Sequence, residues 1–347
     1  MSAVQANAIL ESLTPGHEAR TARDLRPFLR RGLNHRLHML MLKARAYPAS
    51  FANAAHFFET VDWIDRQPAA SRDRILDDVD VALWVIGFKL SLPAPSTPQD
   101  LGDFSRLVER CRQTDDNNAG TWPQVYIEDV HAQVLATVRS PSIASVDGAV
   151  KPSPPVRKEN VRELILSALE NISTIWPGMA GSIRNHIKGF AVIEGAPSSS
   201  SHRAAPGIVI VSRKTIDTAS TDDFFICETL VHEAMHQMIF TMQDICSFDD
   251  GRADKKFTSP WSGLSKPLSV YVHIPVIYFF IAEYFARAHQ GETHQKDRVT
   301  SRLRSIVAGM DRFFAESPLR AHLTPLGLAL HDQVFSRYQE RRACFLT

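Results

Sequence analysis

Apolar residues recur at helical spacing along most of this chain, broken only by polar loops and two short runs of strand type. The spacing predicts a long helix from about His17 to Arg45, opened by Thr14 and Pro15 and kinked at Pro27. Further helices are expected over roughly 51–66, 71–92 and 98–115. The stretch SPSIASVDGAVKPSPPVRKEN then has the serine, proline and glycine content of a linker. This divides the chain into an N-terminal helical region (1–140), a linker (141–159) and a C-terminal region (160–347). In the last of these, VRELILSALENISTIW reads as a helix, and GFAVIEG (189–195) and GIVIVS (207–212) as strands around the polar loop APSSSSHRAAP. Helices are expected again over about 221–243, 268–289, 294–316 and 323–342. The fold class is therefore mainly α (α+β), a helical protein with a small β-sheet expected beside the helix at 221–243.

Composition narrows the function classes. At 347 residues, 44% hydrophobic and 22% charged, the chain has the make-up of a globular protein with a sizeable core. A net charge of +1 provides no global field for nucleic acid or an anionic membrane, so neither partner is expected. Cys111, Cys227, Cys246 and Cys344 are scattered, which argues against a disulfide framework or a cysteine zinc site. The start lacks a secretory pattern, and the most apolar segment, 270–285, is short for a bilayer and carries His273, Pro275 and Glu283. A buried helix and a cytoplasmic protein are the expectations. The arginines at 20, 23, 26, 30, 31 and 36 read first as a solvated helix face, with an acidic peptide or phosphate as the alternative partner.

The chemistry concentrates in FFICETLVHEAMHQMIF, within the helix that Ser220 and Asp223 open as an approximate capping box. His232 and His236 lie one turn apart, so both imidazoles project from one face and can bind one metal ion. Glu233, about 100° further round, is placed to act on a metal-bound water, as the general base would in a protease. The competing reading is two histidines and a glutamate decorating a half-buried helix. Apolar neighbours and the preceding strand favour the site.

A third ligand must come from elsewhere. His273 sits inside VYVHIPVI, where an unpaired imidazole would be costly to bury, and Pro275 beside it can bend the chain. Glu283 is the competitor, although it can equally pair with Arg287 at i,i+4 or support the site from outside. Glu228, one turn before His232, is placed to orient that histidine rather than to reach the ion. His-His-Glu favours zinc hydrolysis, whereas a facial set with open positions favours iron(II) and oxygen.

The C-terminal half resembles the HExxH-motif peptide-modification proteins, iron(II)/2-oxoglutarate-dependent peptide β-hydroxylases. The likeness lies in ETLVHEAMH (228–236), SPWSGLSKPLSVYVH (259–273) and LTPLGLAL (323–330), and covers roughly 160–345. It implies His232, His236 and His273 as iron ligands and 2-oxoglutarate as co-substrate. The reaction implied is hydroxylation of an unactivated carbon on a peptide, small-molecule or carrier-bound substrate. The family's arginines around the Pro-Trp segment are replaced here by Ser262 and Lys266, so Lys266, Arg213 or Arg287 is left to hold the keto-acid carboxylate. Trp261, Tyr271, Phe257 and Tyr278 are candidate pocket walls. A zinc peptidase with His232, His236 and Glu283 as ligands and Glu233 as base is the alternative enzyme, and a helical peptide-binding protein the alternative without catalysis.

Overall fold

The computed structural model describes residues 18–78, 81, 84–85, 99–113, 124–127, 158–193, 198–203, 207–219, 223–243, 247–252, 255–291 and 296–346. Thr14, Pro15, Ser220, Cys246 and all but the last two residues of the expected linker lie outside them. The elements are α1 (Glu18–Ala46), β1 (Phe51–Ala52), α2 (Ala54–Arg66), α3 (Ala69–Asp77), β2 (Gln99–Asp100), α4 (Gly102–Gln113) and β3 (Gln124–Ile127). There follow α5 (Lys158–Ile175), α6 (Pro177–His186), β4 (Gly189–Ile193), β5 (Ser200–Ser201), β6 (Ile208–Ser212) and α7 (Arg213–Ala219). The remainder comprises α8 (Asp223–Gln243), β7 (Lys256–Thr258), β8 (Ser265–Pro267), α9 (Leu268–Tyr271), α10 (Ile274–Gln290), α11 (Lys296–Glu316) and α12 (Pro325–Leu346). The protein is mainly helical with small sheets.

The chain forms two compact units that are not consecutive segments. One holds 1–25, 159–186 and 215–347, and the other 26–158 and 187–214. The expected break near 159 falls where the chain passes between them, but 187–214, read as part of the C-terminal region, belongs with the N-terminal helices. The main sheet thus lies in one unit and the HExxH helix in the other.

In the sheet-bearing unit, α1 runs through Pro27 and buries Leu33, Leu37, Leu40 and Ala44 at helical spacing. They join Phe57, Val61 and Ile64 of α2 and Phe104 and Val108 of α4 in one core. Phe57 and Phe104 meet edge to face at 5.3 Å. Arg30, read from the sequence as part of a solvated face, is instead drawn to α3. It contacts Asp73 at 2.6 Å and Asp77 at 2.5 Å, and Lys188 reaches Asp77 at 2.8 Å. Burial alone would raise the Asp77 pKa, but Arg30 and Lys188 outweigh it and hold it at about 2. The sheet runs β3-β4-β6-β5, parallel except for the antiparallel β5-β6 pair. Its strand β6, Ile208–Ser212, is buried at every position, hence the unbroken apolar run in the sequence. Strand β5 falls within the stretch read as a loop, where SerSer carries no strand signal.

In the other unit α8, α10, α11 and α12 pack together, with Trp176 stacked on Phe280 at 5.8 Å. Helices α8 and α10 are antiparallel. Phe224 meets Tyr284 and Phe285, His232 meets Tyr278, and His236 meets His273. The window Leu268–Gln290 is long and apolar enough to cross a membrane, but 83% of its most apolar stretch is buried within the protein. Mid-helix Gly309 is required by packing, because a Cβ there would lie 2.2 Å from Trp261 Nε1.

Candidate metal centre

Helix α8 is apolar on nearly all sides, so it is held in the interior and its polar motif residues are held with it. His232 and His236 are partly exposed on one face and Glu233 is buried. Their ring centroids are 5.0 Å apart. His273 arrives from the facing strand of chain through a break in the helix. Pro275 lacks an N–H and sits in the first turn of α10, so α9 ends at Tyr271 and the chain restarts at Ile274. This fixes His273, fully buried, as the residue that caps α10, with its ring 5.2 Å from that of His236.

The two Nδ1 atoms of His236 and His273 are 3.0 Å apart. At that separation the two rings share a hydrogen bond whose donor depends on the tautomers; two nitrogens each ~2.1 Å from one ion, at ~90–109°, also lie ~3.0–3.4 Å apart. Phe240, one turn beyond His236, stacks on His236 at 5.7 Å and meets His273 edge-on at 5.0 Å. Among the described residues no group of three His, Cys, Asp or Glu side chains is placed to hold a metal ion as the side chains stand. The three rings lie in series, His232 against His236 and His236 against His273. The His232 pKa is lowered from 6.5 to about 4 by burial, then by the nearby Arg302 and Lys266 charges. Its ring is therefore neutral at pH 7, the form that ligates a metal.

Glu283 does not join them. It lies ten residues along α10 from His273, ~15 Å of helix rise, toward the end of α8 that carries Phe224. There it is 1% exposed and gripped by Arg341 at 2.6 Å, with Arg287 at 3.7 Å. Arg287 also covers the Trp176 ring at 4.7 Å. Glu283, read from the sequence as support for the metal, is instead paired with Arg341, and Arg287, read as a carboxylate holder, lies beside it at 3.7 Å. Arg213 opens α7 and belongs to the sheet-bearing unit, whereas the histidines belong to the other.

The other expected residues sit around the cluster. Lys266 is opposite Phe257 in the β7–β8 hairpin and close enough to His232 to shift it. Trp261, in the hairpin turn, stacks on Tyr278 at 3.8 Å, and Tyr278 in turn meets His232 edge-on at 6.2 Å. Tyr271 is a core residue, packed on Phe257 and Phe313 in a cluster with Leu268, Ile274 and Leu319. Glu228 receives a two-pronged contact from Arg302 of α11, with Nε at 2.9 Å and Nη2 on the second carboxylate oxygen. It orients an arginine rather than His232. The Arg302 charge also opposes the burial that raises the Tyr278 hydroxyl's pKa. Sequence reasoning missed Arg302, since nothing in RVTSRLRSIV sets this arginine apart from its neighbours. Phe240 had a usable signal, being four residues after His236 on the same face.

No protein-family model matches this chain, and no curated protein matches it.

Proposed function

We propose that the unit built around α8 is an iron(II)/2-oxoglutarate-dependent oxygenase, similar in kind to the HExxH peptide β-hydroxylases. Its reaction would hydroxylate an unactivated carbon, on an amino-acid side chain of a peptide or carrier-bound substrate. The observation that carries this reading is the 3.0 Å approach of His273 to His236, while Glu283 is held elsewhere. A three-imidazole donor set suits iron(II) or zinc, and imidazoles ligate in the neutral form, adding no ligand charge. His232, His236 and His273 would hold the ion. Iron and keto acid together would supply the oxidation of the carbon–hydrogen bond. The chain's own residues do the rest. Phe240 and Tyr278 pack on the rings, Trp261 backs Tyr278, and buried Glu233 on the motif helix would hold a proton or a water.

Zinc on the same three imidazoles, with Glu233 as base for peptide hydrolysis, is the second reading. It is favoured by the burial of Glu233 on the motif helix. The version with Glu283 as ligand would require that carboxylate to leave two arginines. Anaerobic protein given iron(II), 2-oxoglutarate and then oxygen separates the readings. The oxygenase predicts a weak visible band that needs both iron and keto acid, and succinate after oxygen. Stoichiometric zinc, no keto-acid response and Glu233-dependent cleavage of a peptide library would overturn it.

A further inference from the structure

From Leu25 to Phe58 the sequence contains no Asp or Glu, while α1 carries Arg26, Arg30, Arg31, Arg36, Lys43 and Arg45 within that span. Arg30 is taken up by Asp73 and Asp77 of α3. At about 100° per residue, Arg31, His35, Met39, Leu42 and Ala46 fall within an arc of about 80°, and all five are exposed. The arc lies about 170° round the helix from Leu33, Leu37, Leu40 and Ala44, which enter the core. Met39 is 43% exposed and Leu42 58%, with Tyr47 at 48% just beyond the helix end. One apolar face is enough to hold a helix on its core, so this second apolar strip has no part in the fold. Arg36 and Lys43 flank it on one side. On the other, His38 contacts Asp65 of α2 at 3.0 Å, and Arg45 lies over Phe58 at 5.2 Å. Phe58, Asp62 and Asp65 follow at i, i+4 and i+7 on α2, so acids border that edge.

We propose that the outward face of α1, from Arg31 to Ala46, docks an acidic amphipathic helix of a partner polypeptide. The face offers about 22 Å of helix, the length of four turns. Aliphatic side chains of the partner cover Met39 and Leu42, and its carboxylates face Arg31, Arg36 and Lys43. The acids at Asp62 and Asp65 fix the orientation, because a carboxylate on that flank would be repelled. An anionic membrane suits the surface less well. A flat lipid face laid over α1 would also meet Asp62 and Asp65, whereas a single helix can place neutral or basic residues there. The inference uses the sheet-bearing unit alone and stands apart from the oxygenase reading.

The test is fluorescence anisotropy of the full chain with labelled helical peptides of about 16 residues, matched to that length. One has a leucine stripe flanked by glutamates, one is its scrambled isomer, and one carries lysines in place of the glutamates. The acidic amphipathic peptide is expected to bind, to weaken as salt is raised, and to exceed both controls by at least about ten-fold in affinity. Leu42→Glu, at an exposed position, should weaken it by at least about ten-fold. The double variant Arg36→Glu/Lys43→Glu should weaken the acidic peptide and strengthen the lysine peptide, a gain that a misfolded protein would not show. No binding of the acidic peptide, equal binding of its scrambled isomer, or unchanged affinity in both variants overturns the docking face. Co-sedimentation with phosphatidylserine–phosphatidylcholine vesicles is the membrane arm. Vesicle binding that depends on Leu42, without peptide binding, overturns the proposal in favour of a lipid surface.

Discussion

Two buried ionisable residues on α10 have opposite fates, decided by what faces them. His273 lies with its Nδ1 3.0 Å from that of His236, so its buried ring is paired with another imidazole. Glu283 meets Arg341 and Arg287, and its charge is balanced in place. Glu283→Gln is therefore expected to leave metal binding intact but to destabilise the fold by about 1–3 kcal/mol, through loss of the charge-assisted contact with Arg341. Urea melts of metal-free protein measure this. A loss of metal without a loss of stability would reverse the assignment. From the sequence, the choice between His273 and Glu283 stayed open because both sit in one apolar helix. The deciding facts are the antiparallel pairing of α8 with α10 and the arginine on α12, neither of which is a local property.

Among elements, the β7–β8 hairpin is the one whose placement depends most on others. Gly263 at φ +66 closes its turn, and Trp261 within the turn is clamped between Tyr278 and the bare backbone of Gly309. Gly309→Ala would put a methyl carbon 2.2–2.8 Å from three atoms of that indole. With Tyr278 stacked on the indole at 3.8 Å, relaxation is limited, and a loss of about 1–3 kcal/mol is expected, visible as a lower melting temperature. Trp261→Leu in the same background should recover part of it. The hairpin was not legible in the sequence: SPWSGLSKP has turn residues but only three-residue strands. The long helices were legible because their periodicity extends over several turns, as in α1 with Leu33, Leu37, Leu40 and Ala44. Helix α6, PGMAGSIRNH, was not, since its two glycines and short length mask the pattern.

At the scale of the molecule, the two units carry different electrostatic liabilities. In the sheet-bearing unit, Asp77 has its pKa lowered from 3.8 to about 2, so its contribution is full above about pH 4 and is lost as pH falls toward 2. The size is about 2 kcal/mol, and Asp77→Asn should flatten the acid limb of a stability–pH curve measured by urea unfolding. In the unit of α8, stability should instead follow metal, rising by about 2.7 kcal/mol when free metal is a hundred times its dissociation constant. The central claim is that His232, His236 and His273 together form one metal centre. It is tested most directly by equilibrium dialysis and metal analysis of four proteins: wild type, His236→Ala, His273→Ala and Glu283→Gln. The account predicts one tightly held ion in wild type and Glu283→Gln, and its loss or weakening by at least ten-fold in both histidine variants. Full occupancy in His273→Ala, with loss in Glu283→Gln, would contradict it.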